Sequence, residues 1–171
     1  MARILVSGPL PGPDLPRLKG LHQVEIGPDP RGLGRDGLLS RLSDHEALVP
    51  FVTDVVDRAV LARAPRLRVV ANCGVGVNNI DLAACRERGI VVTNTPEVLT
   101  DATADATFGL ILDACRGITA GDRAVRAGRW KGWAPTEFIG LRVTSATLGI
   151  VGLGRIRSEE HTSELQSPLN I

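Results

Sequence analysis

The sequence carries no basic block and no acidic tail, and its net charge is only +1, so nothing in it points to nucleic acid or to another highly charged partner. No apolar run approaches the length of a membrane span. Ile4-Leu5-Val6, directly after Met1-Ala2-Arg3, is too short for a secretory signal before Ser7-Gly8-Pro9 ends it. Cysteine is scarce. Cys73, Cys85 and Cys115 are odd in number, widely spaced and set beside apolar or helical neighbours, which fits reduced buried thiols in a cytoplasmic protein and neither a disulfide framework nor a metal site. Internal repeats and low-complexity tracts are missing as well. What remains is 171 residues, 43% apolar and 23% charged, enough for the core of one domain or slightly more, with small molecules as the default partners.

Along the chain, short apolar runs alternate with segments of helical spacing. Strands are predicted at residues 3 to 7, 24 to 26, 47 to 52, 67 to 72 and 90 to 93. The Gly and Pro cluster from Gly8 to Pro16 predicts a short or late first helix, and Leu38, Leu39 and Leu42 mark a second. A third should start at a cap on Thr53 or Asp54 and run through Val56, Val60 and Ala64 to Pro65; a fourth runs from Asp81 to Arg88 and stops at Gly89. Such a chain predicts a flavodoxin-like parallel sheet with right-handed crossovers, bounded near Pro96.

Beyond that boundary, Thr100 or Asp101 is the expected cap of a long helix whose stripe is Ala104, Phe108, Ile111, Cys115 and Ile118. Leu110, Leu112 and Ala114 widen the stripe so far that burial from more than one side is expected. A more polar helical piece, Arg123 to Arg129, leads to an irregular arm, 130 to 140, that holds both tryptophans. Then comes LGIVGLGRI, residues 148 to 156, an apolar run feeding Gly152 and Gly154 as a buried strand feeds a dinucleotide-binding turn. The third glycine of that fingerprint is replaced by Arg157. His22 and His45 stand alone in polar settings and read as surface residues, while Asp101 and Asp105 are explained by helix-start charge.

ANCGVGVNNID (71 to 81), VTNTPEVLTDATAD (92 to 105) and LGIVGLGRI together resemble the D-isomer-specific 2-hydroxyacid dehydrogenases, and the WKGW arm before the last motif looks most like the glyoxylate and hydroxypyruvate reductases. The resemblance implies an α/β enzyme with a flavodoxin-like substrate domain, residues 1–97, followed by an interdomain helix, a dimerisation arm and the first strand of a Rossmann NAD(P)-binding domain, residues 98–156. It implies hydride transfer between NAD(P)H and a small 2-keto acid, in a homodimer paired through the Trp130 to Gly140 arm. Val75 and Gly76 match the loop that holds the substrate carboxylate through backbone N–H groups, a chemistry suited to bare glycine amides facing an anion. Taken alone, Gly74 and Gly76 fit a plain strand-to-helix turn equally well. Thr103, Gly152, Gly154, Arg155 and Ile156 match cofactor contacts, the last four at a helix start facing the pyrophosphate. Trp130 reads first as interface packing; Trp133 is open between packing and a contact to substrate in the neighbouring subunit.

The same resemblance places the family's catalytic Arg, Glu and His well beyond the glycine loop, so no catalytic residue and no metal ligand is assigned, and this chain is expected to be inactive by itself. Residues 157–171 differ in character from everything before them: RSEEHTSELQS resembles the conceptual translation of a common sequencing adapter, and a non-native tail is expected there. Two alternatives stay beside the reductase: another family member such as a phosphoglycerate or D-lactate dehydrogenase, or a non-enzymatic dinucleotide-sensing protein on the same scaffold.

Overall fold

In the computed structural model, which describes residues 1–152 and 154–156, the chain divides into two compact units, one ending at Glu97 and the next beginning at Val98. The first unit is built on five short strands: β1 (Arg3–Val6), β2 (Gln23–Ile26), β3 (Ala47–Val49), β4 (Val69–Ala71) and β5 (Val91–Thr93). All pair in parallel, in the order β2-β1-β3-β4-β5. That is the doubly wound order expected of a flavodoxin-like sheet, with its direction change between β1 and β3. Register places Leu5 beside Leu48, Leu48 beside Val70 and Val70 beside Val92, a row of branched side chains across the sheet. The strands are shorter than their apolar runs. Pro50 has no N–H to continue the β3 ladder, and beyond it only an isolated bridge joins Phe51 to Cys73.

The helices between the strands are α1 (Asp14–Leu21), α2 (Gly34–Arg41), α3 (Arg58–Ala62) and α4 (Leu82–Glu87), with a 3-10 turn at Leu42–Asp44. Leu38, Leu42, Val60 and Leu61 pack with Leu5, Leu48 and Val70 in one buried cluster. Not one residue of α1 is buried. The cap of α3 is Asp57, whose carboxylate accepts from the Val60 N–H at 2.8 Å, and not Thr53 or Asp54 as the sequence suggested. Asp54 is fully buried and committed elsewhere: Oδ1 accepts from the Gly34 N–H and Oδ2 from the Phe51 N–H, both at 2.7 Å. Thr53 turns its hydroxyl to the Arg31 carbonyl. Asp81 caps α4 through the Ala84 N–H, Gly89 ends it with φ +67°, and the Arg88 guanidinium donates to the Leu61 and Ala64 carbonyls at the end of α3.

The histidine and cysteine expectations also need correction. His45 is only 3% exposed; Nδ1 lies 2.9 Å from the Arg41 carbonyl and Nε2 3.4 Å from Glu25, which also pairs with Arg41. Cys85 is buried, and desolvation, followed by the nearby Asp81 charge, pushes its thiol pKa up. Cys73, in contrast, is exposed at the end of β4.

The second unit opens with α5 (Thr100–Arg116), which closes at the left-handed Gly117 and turns into α6 (Ile118–Arg126). The residue before α5 is Leu99, which makes no side-chain cap, so Thr100 and Asp101 lie inside the first turn. Asp113 steadies the corner by accepting from the Thr119 N–H and hydroxyl. Phe108, Ile111 and Cys115 line a cavity of about 360 Å³ against Leu141, Val143 and Leu148. The segment crosses so near the helix end that a Cβ on Gly140 would come within 2.4 Å of the Cys115 carbonyl. On the wider face of α5 Leu110 is 69% exposed and Leu112 half-buried, and Ile118 lies past Gly117 on the next helix. The strand expected at residues 148 to 151 is absent among the described residues, and Val151 is 90% exposed. An apolar run becomes a strand only beside a partner, and no described segment of this unit runs extended next to it.

Candidate functional site

In an open parallel sheet the loops at the carboxyl ends of the strands carry the functional groups, usually in the crevice at the direction change. Between β1 and β3 the loop after β1 is packed closely against its neighbours at Gly8. A Cβ on Gly8 would stand 2.5 Å from the Asp29 carbonyl and 2.8 Å from the Phe51 ring. Arg31, nearby on the surface, is already matched to Asp29, whose carboxyl is held down to about 2 by the guanidinium hydrogen bond and then by the Arg31 N–H. The pair offers no open cationic site.

The loop after β4 is built differently. Gly74 lies against the side chain of Val52, where a Cβ would meet Cγ1 at 2.3 Å, so this position has no room for a side chain. The three carbonyls that follow are all tied down. The Thr95 N–H donates to the Gly74 oxygen at 3.1 Å, Asn94 Nδ2 to the Val75 oxygen at 2.7 Å, and Asn72 Nδ2 to the Gly76 oxygen at 2.7 Å. Asn72 is itself buried and oriented by Asn79, whose Nδ2 reaches the Asn72 Oδ1 as well as the Phe51 and Asp54 carbonyls.

Because a trans peptide is planar, a fixed C=O sends the N–H of the next residue the opposite way. Tying the Gly74 oxygen aims the Val75 N–H away from the β5 exit, and tying the Val75 oxygen does the same for the Gly76 N–H. Among the described residues, neither N–H donates to a protein acceptor. A Cβ on Gly76 would meet nothing within 4 Å, so the space beside it is open. Two adjacent uncommitted N–H groups next to open space form a small nest able to take a carboxylate oxygen.

Sequence reasoning singled out Val75 and Gly76 and missed the residues that orient them, Asn72, Asn79 and Asn94. A signal was present: in VVAN and VVTN the same residue directly follows β4 and β5, and the register Ala71 to Thr93 brings the two asparagines to adjacent places.

In the second unit, Thr103 sits exposed in the first turn of α5, its N–H bonded to the Leu99 carbonyl. Gly152 has φ +84°, a turn conformation that favours glycine, and Arg155 and Ile156 have helical backbone. Trp133 is 85% exposed and Trp130 about half exposed. Residues 157–171, expected to be a non-native tail, lie outside the described residues, as does Leu153. No group of side chains suited to a metal ion occurs among the described residues, and no described helix is long and apolar enough to cross a membrane.

These features define an open α/β domain of the flavodoxin-like type with a glycine loop beyond β4. The sequence pattern of the D-isomer specific 2-hydroxyacid dehydrogenase catalytic domain matches residues 4–167, and the chain belongs to that family. It is 42% identical over 158 residues to the glyoxylate reductase of Pyrococcus horikoshii, an alignment covering 90% of this chain and 47% of that protein. A solved structure from Thermus thermophilus matches with a TM-score of 0.88 at 39% identity, covering 99% of this chain and 58% of the other. The NADPH-dependent glyoxylate/hydroxypyruvate reductase of Sinorhizobium meliloti, solved with NADP and malonate, matches with a TM-score of 0.76 at 30% identity over 96% of this chain and 50% of its own. The chain spans about half the length of the curated relatives it matches.

Proposed function

We propose that this chain supplies the substrate-holding part of an NAD(P)-dependent reductase of small 2-keto acids, with glyoxylate or hydroxypyruvate as substrate. The observation that carries the reading is the loop at Val75 and Gly76, whose carbonyls are tied back while its N–H groups face open space. Such donors fit a carboxylate and leave the keto carbon unhindered for reduction. Gly152, Gly154, Arg155 and Ile156 would hold the dinucleotide's pyrophosphate, a reading supported by the turn conformation of Gly152 and the helical backbone at Arg155 and Ile156. Thr103 would touch the same cofactor from α5. The cofactor when bound supplies or accepts the hydride; the loop binds and orients the acid.

Titrating the isotope-labelled 171-residue protein with glyoxylate should move the amide resonances of Val75 and Gly76, while neutral dihydroxyacetone should leave them in place. Equal responses to the two compounds, or none, would remove the carboxylate reading.

The arm from Trp130 to Gly140 is the proposed dimer contact. Its support is the exposure of Trp130, Trp133, Phe138 and Ile139 on one short irregular segment, an apolar set of the kind enriched at interfaces. Sedimentation should find a dimer that Trp130→Ser shifts toward monomer; an unchanged distribution would place the contact elsewhere. Trp133 would then reach the partner's substrate loop. Three cysteines without disulfides support a cytoplasmic location.

A further inference from the structure

We infer that Asn94 is a positioning residue that sets the orientation of the Val75–Gly76 peptide and thereby aims the Gly76 N–H at the bound acid; this rests on the carboxylate reading of the loop. Asn94 follows β5 directly, and the pairing of Ala71 with Thr93 carries it alongside Asn72 at the mouth of β4. From there its amide crosses to the Val75 oxygen at 2.7 Å. The neighbouring peptide is held by the backbone, through the Thr95 N–H on the Gly74 oxygen, and the following one by the buried Asn72. The Val75–Gly76 peptide is different. Its hold on orientation is a single exposed side chain, and Gly76, lacking a Cβ, opposes rotation less than any other residue would.

Without the Asn94 donor, the Val75 oxygen has an open face beside Gly76 to turn into. A turned peptide would present a carbonyl oxygen to the carboxylate where an N–H is needed, exchanging attraction for repulsion. The residue therefore acts through the backbone of its neighbour and does not itself touch substrate.

The test uses the 171-residue protein with Asn94→Leu, Asn94→Asp and Asn94→Gln, read by glyoxylate titration of the Gly76 amide, by the crystal structure of each variant and by the urea midpoint. Asn94→Leu is expected to fold, to show the Val75–Gly76 peptide rotated and to bind glyoxylate about tenfold more weakly or worse, the loss of one charge-assisted bond. Asn94→Asp, with an acceptor facing the carbonyl, should do the same, and Asn94→Gln should recover part of the affinity. A lowered urea midpoint with the peptide unrotated and affinity within twofold of the parent would mark a merely structural residue and overturn the inference. A rotated peptide with unchanged affinity would overturn it too. If the parent protein itself gives no glyoxylate response, the carboxylate reading fails separately, and the peptide orientation in Asn94→Leu then decides the role of Asn94: rotated upholds it, unrotated ends it.

Discussion

Asp54→Ala is expected to destabilise the first unit by about 2–4 kcal/mol, from the loss of the side-chain acceptor of two partly buried backbone donors. The carboxylate is fully buried between the start of α2 and the turn after β3, with one oxygen on each. Removing it strands the Gly34 and Phe51 N–H groups and leaves a void beneath Gly32, whose missing Cβ would stand only 2.8 Å from Oδ1. Asp54→Asn should cost less, since one oxygen remains, but its NH2 must then face an N–H. Urea unfolding followed by far-ultraviolet circular dichroism measures both. A loss under about 1 kcal/mol for the alanine variant would mean that water replaces the carboxylate readily.

The second large effect is expected at Gly74. Its φ is not positive, so alanine suits the backbone and the cost is purely steric: a Cβ 2.3 Å from the Val52 methyl. Gly74→Ala should lose about 1–3 kcal/mol by overpacking and, by pushing the loop off its tethers, most of the glyoxylate response. Val52 is 57% exposed and contributes little to the core, so Val52→Ala alone should be nearly silent. Combining the two should recover most of what Gly74→Ala loses, a coupling that the double-mutant cycle reads directly. Gly76→Ala meets no protein atom and should leave stability unchanged. If the double variant is as unstable as Gly74→Ala alone, Val52 is not the cause.

Much of the sheet was legible because each strand is a short apolar run closed by Gly, Pro or Asn, and helical connections force parallel pairing. The caps were less legible for a specific reason. Thr53-Asp54 and Asp57 are equally good capping residues before the same apolar run, and what separates them is a bond from Asp54 to Gly34, distant in sequence. His45 misled in the same way, since its partners, the Arg41 carbonyl and the Glu25 carboxylate, lie on α2 and β2. The apolar run at 148 to 151 reads as a strand by composition, yet pairing is a property of two segments. At the site, the motif located the glycines, but the asparagines that turn the loop's amides outward became visible only once β4 and β5 were in register.

The close packing at Gly8 and the bare helix α1 lie at the same end of the sheet. The proposed carboxylate loop lies beyond β4, at the opposite end of the strand order from β2. A helix that buries none of its residues holds its place by hydrogen bonds and backbone continuity, so its sequence is nearly unconstrained by packing. The corner around β2 and α1 is where such a domain accepts insertion, fusion or surface redesign with least disturbance to the loop after β4.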